Sequence, residues 1–278
     1  FPNLASEDIR VEEVSDITPD VRLTLYNSGH IIGSSIAHLN IGNGLHNLVY
    51  TSDLKYARTN VLEPANTQFP RIETLIIEAT YGGKENVMSD EEAEQYIEKV
   101  LNDTFTRGGK VLLPVLGSGR AQEIMVLVER LMRENKVLKA PIYIDGMIWD
   151  ITAIHTAYPE FLGRNLRQQI FHKENNPFLS DIFKQVATPK DRQAVLESEE
   201  PCLVLATSGM LTGGPSVEYF KTFAKNGKNS LIFTCYQQPG SLGYRIRSGE
   251  REVVFSEGGR QHPIPVVLEV HKAEIISH

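Results

Sequence analysis

A chain of 278 residues, 41% apolar and 23% charged, is long enough for one large or two ordinary domains and apolar enough for a real core. Its formal net charge of −7 argues against broad, non-specific binding to duplex nucleic acid, which favours basic surfaces. It leaves room for a local cleft where metal ions supply the positive charge. No apolar run approaches the roughly 18 residues of a membrane span. Cys202 and Cys235 lie in apolar runs and read as buried free thiols in a reducing cytoplasm, with no support for a disulfide.

Residues 1–20 are acidic, hold Pro2 and Pro19, and read as a loop or weak strand before a strand over Val21–Tyr26. Ser35–Ile41 alternates apolar and polar residues, the pattern of a half-buried strand, and His38 falls on its polar, surface side. Gly42-Asn43-Gly44 reads as a hairpin turn before Leu48–Thr51, with His46 solvent-facing beside it. Strand, hairpin and strand without helices fit a sandwich sheet better than a βαβ unit. Residues 55–71 form a long polar connection with Pro64 and Pro70, and Thr74–Ile77 is the next strand. Three of these runs end on a polar residue: His30, Asp53 and Glu78. Groups collected at strand ends suggest a metal or acid–base site. On spacing alone they are equally three unrelated loop residues.

The pattern changes after Gly83. Ser89-Asp90-Glu91-Glu92 is a helix start with an acidic first turn, and the helix runs to about Arg107. Lys110–Val115, Pro141–Ile144, Cys202–Leu205 and Leu231–Thr234 read as strands. Helices follow to about Glu134, over Met147–Ala157 and over Ser216–Ala224. This alternation predicts a parallel sheet flanked by helices. Asp145 reads as the cap of the helix near Met147, and His155 as packing. His172 and His262 fall in polar loop segments.

Three Gly-rich loops follow strands of this second region: Leu116–Glu123, Thr207–Pro215 and Tyr236–Arg245. Glycines between a strand and a helix expose backbone N–H groups to anions, and Arg120 adds a planar phosphate donor. The same residues also suit tight turns, with Arg120 paired to a carboxylate such as Glu123. Tyr236, Tyr244, Arg245 and Arg247 offer stacking faces and phosphate donors. Core packing of both tyrosines is the other reading.

Gly29-His30-x-x-Gly33-Ser34, Tyr50-Thr51-Ser52-Asp53 and Glu78-Ala79-Thr80-Tyr81-Gly82 resemble three successive signatures of the β-CASP family of metallo-β-lactamase-fold nucleases. Archaeal homologues of the cleavage and polyadenylation specificity factor nuclease are the nearest in pattern. The resemblance covers nearly the whole chain. It implies an α/β fold: part of a metallo-β-lactamase αββα sandwich over 1–83, a β-CASP insert over 84–262, and a return strand into the first domain over 263–278. It implies a cofactor of two Zn2+, with His30 and Asp53 as metal ligands, Asp53 bridging the two ions and counted as catalytic, and Glu78 as the family's catalytic acidic motif, close to the metals but not a ligand. The insert would hold single-stranded RNA through Gly119, Arg120, Ser208, Gly209, Gly213, Gln237, Gly243 and Arg245. A homodimer is left open, no membrane partner is implied, and the location is cytoplasmic.

By resemblance, the activity is zinc-dependent hydrolysis of RNA phosphodiester bonds in 3′-end processing, transcription termination or turnover. Glu78 would orient a histidine that protonates the leaving oxygen. Two departures matter. The family's His-x-His-x-Asp-His motif occurs nowhere in the chain, and the Ser277-His278 end falls one residue short of the later Ser-x-His-x-Asp signature; His271 is a weaker stand-in. Zinc sites normally need three or four protein ligands, and His30 with Asp53 make two. The expectation is therefore a fragment of a longer enzyme, inactive by itself. Alternatives are a non-catalytic RNA-binding or scaffold subunit and a small-molecule metallo-hydrolase such as a thioesterase. The long stretch after Gly83 argues against the last.

Overall fold

The computed structural model describes residues 12–83, 88–172 and 175–273. They divide into two compact units. The first holds the chain to Glu85 together with Pro159–Gln168; the second holds Asn86–Tyr158 and the chain from Gln169 to Ile276.

The first unit is built on a five-stranded sheet: β1 (Val14–Thr18), β2 (Val21–Asn27), β3 (Ser35–Ile41), β4 (His46–Tyr50) and β5 (Thr74–Ile76), side by side in chain order. All pairs are antiparallel except β4 with β5. Gly42, Asn43 and Gly44 all take positive φ, which closes the β3–β4 hairpin and sets its register. Register then sorts the side chains. One face carries Thr24, Ile36, His38, Asn47 and Val49, all buried. The connection after β4 covers it, with Leu54, Ala65 and Phe69 packed on Ile36 and Val49. The other face carries Val21, Leu23, Leu25, Ala37, Leu39, Ile41, Leu48, Tyr50 and Ile76, and none of these is buried.

His38 corrects the sequence reading. It is buried, its Nε2 donates to the Arg71 carbonyl at 3.1 Å, and its ring meets Phe69 edge-on. The polar side of β3 faces the 54–71 connection, so the alternation assigned the two faces the wrong way round.

The second unit is a six-stranded, fully parallel sheet in the order β13-β10-β6-β9-β7-β8. Its strands are β6 (Val111–Pro114), β7 (Ile142–Asp145), β8 (Phe183–Val186), β9 (Leu203–Ala206), β10 (Ser230–Phe233) and β13 (Glu269–Lys272). Every residue of β6, β9 and β10 is buried. Continuous apolar runs of this kind mark parallel strands covered on both faces. The helices are α1 (Asp90–Thr106), α2 (Arg120–Arg133), α3 (Ile148–Ala157), α5 (Pro189–Glu197), α6 (Pro215–Phe223) and α7 (Leu242–Arg247), with α4 (Arg164–His172) straddling the division. Ser89 starts α1 with a reciprocal capping box: its hydroxyl accepts from the Glu92 amide, and Glu92 accepts from the Ser89 amide. The small hairpin of β11 (Glu252–Glu257) and β12 (Arg260–Pro265) completes the unit.

Several expectations change here. Pro159–Gln168 clusters with the first unit: the Gly163 amide donates to Val61 O at 2.7 Å, and the Arg164 amide to Glu63 at 2.6 Å. A Cβ at Gly163 would sit 3.3 Å from Val61 O and Leu62 C, so the close approach suits glycine. The return strand expected over 263–278 is instead split. Residues to Pro265 form β12, and β13 is an edge strand of the second sheet. His172 ends α4 and His262 lies on β12, so neither is in a loop. Cys202 is buried and Cys235 half-buried, both as free thiols. No helix among the described residues is long and apolar enough to cross a membrane. His278 lies outside the described residues.

Candidate functional site

In the first unit three loops leave one end of the sheet, and hydrogen bonds tie them together. The Asn27 side chain accepts from the Gly29 amide at 3.0 Å, and Ser28 Oγ bonds Ser34 Oγ at 2.7 Å, which folds the loop carrying His30. The Lys55 amide donates to Ser28 O at 2.9 Å and so joins the Asp53 loop to the His30 loop. Gly29 takes φ +70°, and a Cβ there would lie 2.8 Å from Ala65 N and Lys55 O. Only glycine fits both that conformation and that space. Ser52 also has positive φ, with its hydroxyl donating to Ser35 O at 2.9 Å, and this turn presents Asp53. The Glu78 amide donates to Thr51 Oγ1 at 3.3 Å, and the Glu78 carboxylate accepts from the Thr80 amide at 2.6 Å.

The result brings His30 and Asp53 together: Nε2 and Oδ2 are 3.8 Å apart, with the Asp53 side chain 61% exposed. Glu78 follows β5, the neighbour of the strand that leads to Asp53. Among the described residues no three His, Cys, Asp or Glu side chains form a metal-holding group. His271, the weaker stand-in, sits on β13 with its Nδ1 against the Tyr96 hydroxyl at 3.0 Å.

In the second unit the three Gly-rich loops leave β6, β9 and β10 at the same sheet edge, because these strands are adjacent and parallel. The loops touch. A Cβ at Gly209 would lie 3.2 Å from Leu116 N, and the Gly243 amide donates to Met210 O at 3.0 Å. Gln237 is fully buried, and its amide donates to Gly209 O and Cys235 O at 3.0 and 3.1 Å. Gln237 therefore fastens two loops instead of offering its donors outward, a correction to its expected RNA contact. Gly119 precedes α2 with φ +76° and no side-chain cap. Arg120 is the first residue of α2 and only 7% exposed. Ser208 Oγ accepts from the Thr212 amide at 2.9 Å, and Gly213 borders open space. Gly243, Tyr244 and Arg245 lie on α7, not in a loop. The guanidinium of Arg245 is held by Glu250, with Nε at 2.7 Å, so this expected phosphate donor is already paired. Tyr236 is exposed, and Arg247 lies 5.8 Å from the Tyr244 ring centroid.

Asp145 does not cap α3, whose N-terminus has no side-chain cap. It accepts from Arg192 and Tyr219 instead. Sequence reading missed both partners. They lie 47 and 74 residues away, and no local pattern pairs them.

Parallel strands with glycine loops at one sheet edge define the class: residues 121–246 match the Beta-Casp domain, so the chain carries a β-CASP domain. It is 55% identical over 261 residues to the transcription termination factor FttA of Pyrococcus abyssi, covering 93% of this chain and 40% of that protein. It is 52% identical over 262 residues to FttA of Methanocaldococcus jannaschii, with 94% and 41% covered. FttA of Lokiarchaeum sp. is 50% identical over 264 residues, again with 94% and 41% covered. The chain thus spans about two fifths of the length of these curated relatives.

Proposed function

We propose that this chain is part of a zinc-dependent β-CASP ribonuclease that hydrolyses RNA phosphodiester bonds in transcription termination, 3′-end formation or turnover. The observation that carries the reading is the meeting of His30 and Asp53 on a tightly braced sheet end. Two donors on one tetrahedral zinc, each roughly 2.0–2.2 Å from the ion, stand roughly 3.4 Å apart. The 3.8 Å pair is close to that separation. The donors fit part of a zinc shell and do not complete it, since three or four protein ligands are the norm. In the proposed whole, the other ligands come from outside this chain.

When bound there, the metal would supply Lewis acidity and a nucleophilic hydroxide at neutral pH. This chain's own residues hold and orient. His30 and Asp53 provide donors, Glu78 provides a carboxylate fixed by the Thr80 amide, and the loop edge of the second unit offers backbone donors to phosphates of single-stranded RNA. The open apolar face of the five-stranded sheet supports the sandwich part of the reading. Nine apolar side chains left unburied on one face need a second layer.

The test uses a protein of the relatives' full length. Asp53→Ala should lower both zinc content, read by mass spectrometry of metals, and RNA cleavage. If both survive, Asp53 is a structural loop residue and the reading fails. A second reading, a non-catalytic RNA-binding chain, is favoured by the two-donor count. It predicts RNA binding without chelator-sensitive cleavage at full length.

A further inference from the structure

Asp145 ends β7 and stands in register with Ala206, the residue just before the Thr207–Gly214 loop. Its side chain is buried and fully engaged. Oδ2 accepts from Arg192 Nε at 2.8 Å and from the Tyr219 hydroxyl at 3.0 Å, and Oδ1 accepts from Arg192 Nη2 at 2.9 Å. Arg192 lies on α5, and Tyr219, itself fully buried, lies on α6, which begins where the loop ends. The next residue, Gly146, has φ +90° and passes so close to the loop that a Cβ would come 2.3 Å from Thr207 Oγ1. One dipeptide therefore touches the start of the loop and, through Tyr219, the helix at its end.

The loop closes across its own neck. The Ser216 amide donates to Thr207 O and its hydroxyl to Ser208 O, both at 2.8 Å. Inside, the Leu211 amide donates to Ser208 O at 3.3 Å. A buried ion pair is weak evidence for stability, because apolar replacements often do as well. Asp145 and Tyr219 are buried and Arg192 is half-buried, and this gathering of polar groups is better explained by the geometry it imposes. Burial and the neighbouring carboxylate push the Tyr219 hydroxyl up, and the hydrogen bond to Asp145 pushes the Arg192 guanidinium up. Both donors stay protonated through the physiological range.

We propose that Asp145 is the positioning residue of the Thr207–Gly214 loop: it ties α5 and α6 to the end of β7 and so fixes the loop backbone. For its functional half this rests on the reading that the loop grips RNA phosphates.

Tyr219→Phe in the whole chain removes one hydroxyl and keeps the buried ring. Asp145→Asn is the stronger variant. Amide hydrogen exchange should rise about tenfold at Leu211, Thr212 and Ser216, the order expected for losing one hydrogen bond to a charged group. The amides of Leu113 and Leu205 should be unmoved. Affinity for a 15-nucleotide oligouridylate, read by anisotropy, should fall several-fold in the same variant. Exchange that rises uniformly across β6, β9 and the loop, or not at all in the loop, overturns the positioning role. A loosened loop with unchanged affinity overturns its link to RNA. A wild-type chain that ignores the oligonucleotide sinks the RNA reading instead, and the exchange pattern still decides the role of Asp145.

Discussion

The two sheets solve the same problem differently. The parallel sheet of the second unit buries whole strands: every side chain of β6, β9 and β10 is out of water. Helices and returning loops cover both its faces, as a parallel sheet requires. The five-stranded sheet buries one face only, against a connection that has no helix or strand of its own. Its other face is as apolar as a core and is not one. The parallel sheet organises a complete core, whereas the five-stranded sheet is organised as half of one. Each sheet nonetheless presents polar groups at one strand end. The parallel sheet does so with backbone loops, and the five-stranded sheet does so with His30, Asp53 and Glu78.

The sharpest test of this contrast is a truncation in each sheet. Leu205→Ala, in the centre of the parallel sheet and fully buried, should cost about 2–5 kcal/mol in urea unfolding. Leu39→Ala on the open face should cost under about 1 kcal/mol in this chain. At the relatives' full length its cost should climb toward the core range, if a second layer covers that face. Equal costs in this chain would erase the distinction between the two sheets.

Arg120→Ala separates two roles for a nearly buried side chain. As a phosphate donor it should weaken binding to single-stranded RNA by about 1.5–3 kcal/mol and make the salt slope shallower by about one contact. As a structural partner it should lower the melting temperature and leave affinity at fixed salt unchanged. Filter binding at two salt concentrations, with melting curves, distinguishes them.

Gly29→Ala probes the end of the five-stranded sheet that carries the His30 loop. The positive φ and the backbone atoms 2.8 Å away should make it cost about 1–3 kcal/mol in chemical unfolding. A wild-type unfolding curve would mean the His30 loop is not braced as described.

The smallest effect is on pH. Burial pushes both His155 and His271 below the usual histidine range, although the Ile151 carbonyl and Glu269 respectively pull the other way. Each stays neutral in the folded chain, while the unfolded chain takes up protons below about pH 6.5. Their contribution is therefore present above that pH and is lost as pH falls. Melting temperature should drop between pH 7 and 5.5, and the drop should shrink in His155→Leu with His271→Gln. An unchanged drop would assign the pH dependence to other groups.

Period and punctuation carried most of the elements: the alternation of Ser35–Ile41, the turn at Gly42-Asn43-Gly44, the capped start of α1 and the apolar runs of β6, β9 and β10. These are local signals, and local structure follows them. The stretch 158–200 carries weak ones, and α4, β8 and α5 were not legible there. His30, Asp53 and Glu78 were visible as strand-end residues. That His30 and Asp53 meet, and that the Lys55 amide holds their loops together, depends on how strands pack. Tertiary structure alone decided which side of β3 is buried, that Arg245 is paired with Glu250, and that Asp145 braces two helices. For Asp145 the physical reason is distance along the chain. A side chain's partner is set by what lies opposite it in space, and separations of 47 or 74 residues leave no local trace.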